Sequence, residues 1–190
     1  MRLFIVYLLI LSLTSFAFGK KKGSPPMSAG APGDRSCATS KCHAGSDINS
    51  GDAKIFITGV PQKFVPNEIY DISLHLSQRG AKKWGFEVTV ADSLGNASGH
   101  LISLEGQPTQ ILNNARYRSR TNRQYITHTE DGISGSEKGT SPIWSFQWQA
   151  PDSGSGVSTF YFGINAANGN NKKTGDHIYM RTLETSEMSD

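Results

Sequence analysis

Four stretches of this chain alternate apolar and polar residues with a period of two. Tyr70, Ile72, Leu74 and Leu76 are separated by Asp71, Ser73 and His75, and Trp84, Phe86, Val88 and Val90 by Gly85, Glu87 and Thr89. Trp144, Phe146 and Trp148 alternate with Ser145 and Gln147, and Phe160, Phe162 and Ile164 with Tyr161 and Gly163. Successive strand side chains point to opposite faces, so each stretch predicts a strand with one apolar face. Weaker strand candidates are 53–58, 98–104, 116–128 and 177–183, and turn residues at Pro61, Pro66-Asn67, 93–96 and 151–154 separate them. No window carries a long amphipathic helical stripe. Seven to nine short strands of this kind predict an all-β, antiparallel β-sandwich. Roughly 140 residues bury enough apolar surface to fold without a crosslink.

The ends read differently. Met1 and Arg2 precede an apolar run over residues 3–18 that closes on Ala17-Phe18-Gly19, and Lys20-Lys21-Lys22 follows. A positive start, a short apolar core and small residues at the cut describe a secretory signal peptide over residues 1–19. The run is shorter than the ~20 residues a spanning helix needs, and no second stretch reaches that length, so the mature chain is expected to carry no transmembrane segment. Export places it in the periplasm, at the cell surface or outside the cell. Residues 20–34 are rich in Gly, Pro, Ser and Lys and read as a flexible lead. A cysteine-bearing segment, 35–51, joins it to a sandwich over 52–184, and 185–190 is a tail. Lys plus Arg number 19 against 16 Asp plus Glu, a formal charge of +3. That balance lacks the basic stripe of a nucleic-acid binder.

The chemistry is concentrated in one place. The two cysteines are Cys37 and Cys42, and His43 follows the second. Covalent haem attachment needs two thiols that reach the vinyl groups of the porphyrin and a histidine beside the second thiol, as in Cys-x-x-Cys-His. Here the spacer is four residues, a longer loop that multihaem cytochromes also use. A Cys37–Cys42 disulfide satisfies the same spacing, and so short a loop would stabilise by at most ~2–3 kcal/mol. Zinc would find three local ligands at most. Haem and disulfide both remain open on the residues alone, with a metal site or reduced thiols behind them.

A haem iron would take a sixth ligand or leave an open site. His75 falls on the polar face of its strand, where solvation explains it, and His100 has no distinguishing neighbours. His128 ends a strand in Tyr125-Ile126-Thr127-His128-Thr129, a position from which ligands are presented. His177, in Gly175-Asp176-His177, ranks second, and Met180 alternates with Ile178 as a packing residue. No acid/base pair and no nucleophile elbow is present, so no catalytic residue is assigned.

Gly30-Ala31-Pro32-Gly33, Cys37…Cys42-His43-Ala44-Gly45, Trp84-Gly85-Phe86, Tyr125-Ile126-Thr127-His128-Thr129, Phe146-Gln147-Trp148-Gln149-Ala150-Pro151 and Asn165-Ala166-Ala167-Asn168-Gly169 follow one another in that order. Together they resemble the bacterial exported domains called choice-of-anchor V, related to the reelin N-terminal (Reeler) domain. The resemblance spans about residues 30–183. It implies an immunoglobulin-like β-sandwich, and an N-terminal motif that occurs as Cys-x-x-Cys-His or with the longer spacer. Histidine retained across two haem-competent spacings implies one covalent haem c, with Cys37 and Cys42 as thioether anchors and His43 as proximal ligand. His128 matches the family's Tyr-x-Thr-His-Thr stretch and is the implied distal ligand, whereas His177 stands where the family more often has an aromatic. The implied role is electron transfer or haem sensing at the cell envelope, with a redox partner the sequence does not identify. Eukaryotic Reeler domains use cysteines for disulfides and serve adhesion or matrix binding. They imply the alternative, a binding module for an envelope or matrix component with a Cys37–Cys42 clip.

Overall fold

The computed structural model describes residues 22–38, 42–43, 46–112, 122–135 and 137–189. The expected signal peptide lies outside them, as do Ala44, Gly45 and the first part of the 116–128 strand candidate. Ten strands are described: β1 Lys54–Thr58, β2 Lys63–Phe64, β3 Ile69–Ser77, β4 Lys83–Ala91, β5 His100–Ser103, β6 Thr109–Leu112, β7 Tyr125–His128, β8 Trp144–Gln149, β9 Val157–Ala167 and β10 His177–Glu187. One turn of 3-10 helix, Glu130–Ile133, follows β7.

The strands form two sheets, β1-β3-β8-β5 and β2-β10-β9-β4-β7-β6. Neighbours pair antiparallel except for β2, whose two residues run parallel to β10. The alternation read from the sequence meets between the sheets. Ile72, Leu74, Leu76, Trp144, Phe146 and Trp148 face Phe86, Val88, Phe160, Phe162 and Ile164 across one core. Phe86 and Trp144 lie 4.7 Å apart between ring centroids, and Trp148 meets Phe160 edge-on at 4.9 Å. Each indole N–H finds a carbonyl, Trp144 at Gly132 and Trp148 at Ser98, both at 3.0 Å. The chain is therefore a β-sandwich, as the period-two pattern predicts. The short strands β2 and β6 are additions that two to four residues of alternation cannot announce.

The outer face of the six-stranded sheet is not open to solvent. Residues 22–36, most of them within the lead read as flexible from composition, lie across that face as a strap. Ala31-Pro32-Gly33-Asp34 is a tight turn closed by Asp34 N–H to Ala31 O at 2.8 Å, with Gly33 at φ 81°. Pro at the second position and Gly with positive φ at the third are what a type II turn requires. Ala29 then pairs with Ser36, and Arg35 N–H donates to Met27 O at 2.9 Å. Small residues that look unable to bury anything here let two backbones approach closely. Ser28, Ala29 and Ala31 are buried.

Candidate functional site

Two rows of side chains cross the outer face. In the first, Met180 of β10, Gly163 of β9, Glu87 of β4, Thr127 of β7 and Gln110 of β6 are successive register partners. The strap lies along it. Gln110 Nε2 donates to Lys22 O at 2.7 Å, Ser24 N–H donates to Thr127 Oγ1 at 3.2 Å, and Ser28 N–H donates to Glu87 Oε1 at 2.6 Å. Gly163 has no side chain where one would come within 2.7 Å of Ser28 O, and Gly30 rests on the Met180 methyl. After the turn the strap returns to β7. Asp34 and Arg123 form an ion pair at 2.6 Å with both side chains buried, and Tyr125 Oη donates to the same Asp34 oxygen at 2.9 Å. Arg123 also donates to the carbonyls of Gly95 and Pro32.

The second row lies one side-chain step along the strands, ~7 Å from the first. It holds Ile178 of β10, Asn165 of β9 and Gly85 of β4 as register partners. The two histidines singled out from the sequence both arrive here. His43, half-buried, stands on Asn165, with Asn165 Nδ2 donating to its Nε2 at 3.3 Å. Its Nδ1–H donates to Asp176 Oδ2 at 2.7 Å, and Asp176 Oδ1 is held by Asn168 N–H at 3.0 Å. His128, buried at the end of β7, lies over Gly85, where an added Cβ would come within 2.8 Å of its Cε1. Its Nδ1 is 3.1 Å from Phe86 N and 3.3 Å from Phe86 O, so one backbone residue serves either tautomer. His43 and His128 thus stand over adjacent strands of one face, which run ~4.8 Å apart.

Cys37 and Cys42 are thiols, Cys37 half-buried and Cys42 exposed. His43 N–H donates to Cys37 O at 3.3 Å. Burial pushes the Cys37 thiol up to about 12, with the charges of Glu87 and Cys42 adding to the effect. The remaining histidines are elsewhere. His75 stacks on Phe56 at 6.1 Å on the other sheet, and exposed His100 lines an open cleft of about 300 Å³ with Asn67, Gln149 and Asp152. His177 pairs with Ala166 and stacks on Tyr179 at 6.5 Å, so its side chain points away from this row. Met180 is not a core residue but part of the strap's seat.

Sequence reasoning did not find Asp176, Asn165 or Gly85. Asp176 was in view, in the triplet weighed for His177, but nothing local ties it to a histidine 133 positions away. The residues present do fit a haem ligand set in one respect: a carboxylate on Nδ1–H fixes the tautomer whose Nε2 lone pair can bind iron, the usual support of a ligating histidine. Among the described residues no group of three or more His, Cys, Asp or Glu side chains is arranged to hold a bare metal ion. Asn165 Oδ1, beside His43, is buried with no hydrogen-bond partner.

No protein-family model matches the sequence, and comparison with curated proteins gives no match. Solved structures do match. The human F-spondin reeler domain superposes with a TM-score of 0.51 at 14% identity, over 77% of this chain and 95% of that one. A second structure, of the Reelin-N domain of F-spondin, gives 0.48 at 16% identity over 77% and 93%. The fold is Reeler-like. No helix among the described residues is long and apolar enough to cross a membrane.

Proposed function

We propose that this chain is an exported β-sandwich that carries one covalently attached haem c, with a role in electron transfer or haem sensing at the cell envelope. Cys37 and Cys42 would anchor the porphyrin, His43 would be the proximal ligand and His128 the distal one. The observation that carries the reading is the Asp176 carboxylate on His43 Nδ1–H, in a row that also receives His128. When bound, haem would supply a one-electron couple. The chain's own residues do the rest: Asp176 orients His43, Phe86 orients His128, and Gly85, lacking a side chain, makes room for the His128 imidazole. Asn165 Nδ2–H, which caps His43 Nε2, must give way on ligation.

Expression with a haem-maturation system, followed by a pyridine haemochrome spectrum and intact mass, tests this. The expected result is a Soret band and a mass increased by one haem. A mass lower by two hydrogens with no Soret band would favour the second reading, a Reeler-type adhesion or binding module clipped by Cys37–Cys42. The fold likeness to the F-spondin reeler domain supports that alternative.

A further inference from the structure

The carboxyl of Glu87 sits in the middle of the strap's seat and is fully buried. From the strap it is faced by Ser24, Ser28, Asp34 and Cys37, from β7 by Thr127, and from β9 by Gly163, which brings no side chain. Ser28 N–H donates to Oε1 at 2.6 Å, Oε2 is bonded to Ser24 Oγ, and Ser24 Oγ also meets Thr127 Oγ1 at 3.1 Å. The charges that face it are acidic ones, while the Arg123 guanidinium is engaged by Asp34, Gly95 and Pro32. A neutral carboxyl suits this site, with one oxygen accepting from Ser28 and a hydroxyl shared with Ser24. An ionised one loses its water with no ion pair of its own to offset the loss.

We propose that the strap is a proton-dependent cover, docked on the sheet while Glu87 is neutral and lifted when Glu87 ionises, so that pH controls exposure of Cys37. Every contact in this cover is protein to protein, so the proposal goes beyond the haem reading and does not depend on it. Burial raises Glu87 from 4.5 to about 8; the bonds from Ser24, from Ser28 and from the Ala29 backbone oppose the shift and the Asp34 charge adds to it. The acid is thus weaker when the strap is docked. Docking is favoured most below the undocked value near 4.5, weakens as pH rises, and loses this contribution above about 8.

The test is limited trypsin cleavage after Arg35 in the full chain, since cleavage of a transiently open segment follows the open population. Rates for wild type relative to Glu87→Gln at each pH cancel the protease's own pH profile. This ratio is expected to rise by about tenfold or more between pH 6 and pH 8.5. A constant ratio would overturn the proposal. Should the glutamine variant fail to fold, the carbon NMR signal of the Glu87 carboxyl in wild type decides. A midpoint above pH ~6.5 supports the cover, and one near the ordinary glutamate value overturns it.

Discussion

His43 is held from both ring nitrogens, and the two bonds differ in kind. Asp176 is buried and brings a carboxylate, whereas Asn165 brings an amide that can turn aside. Asp176→Asn removes the charge while keeping the shape. We expect it to lower stability by about 1.5–3 kcal/mol in urea denaturation, the range for a hydrogen bond to a charged group. In haem-loaded protein the same variant should raise the midpoint potential, because the imidazole loses an anionic partner. An unchanged potential would separate Asp176 from the ligand it is assigned to orient. At this scale the sequence was legible where chemistry is local: Cys37, Cys42 and His43 announce themselves by adjacency, and His128 by its place at a strand end. Asp176 and Glu87 did not, since each acquires meaning only from a partner that folding supplies.

Among elements, strands and strap were legible to different degrees for one physical reason. A strand such as β4 carries its burial in large side chains, and Trp84, Phe86, Val88 and Val90 mark its inner face. The strap carries its burial in backbone proximity, and the residues that permit this, Gly30, Ala29 and Ser28, are those that also compose linkers. The partner positions share this property, because Gly163 and Gly85 interrupt otherwise bulky strands where something must lie close above. Gly163→Ala tests that directly, as the added methyl would stand 2.7 Å from Ser28 O and 3.1 Å from Ala29 Cα. The strap should then be cut after Arg35 faster than in wild type at every pH, with the sandwich intact by tryptophan fluorescence. Unaltered cleavage would mean that the strap is not seated by this glycine.

Across the whole molecule, one core joins the two sheets and the strap adds a second, smaller packed layer on one side. Trp148 contributes most visibly to the core, touching Phe64, Tyr70 and Phe160 while its N–H reaches Ser98. Trp148→Ala is expected to destabilise by about 3–5 kcal/mol, measured by denaturant unfolding, the usual cost of emptying a large aromatic site. The outer layer should report separately, because its docking responds to pH through Glu87.

The strap also imposes a schedule. A chain is made from its N terminus, and Ser28, His43 and Asn49 find their partners at Glu87, Asp176 and Ile178, respectively. Until the last strand has emerged, the row that receives His43 does not exist. Cys37 therefore travels through most of synthesis and early folding without its final surroundings, and Cys42 without the neighbouring His43 being seated. Whatever bond those sulfurs are to make can form in that interval, before β10 completes the surface on which the segment comes to rest.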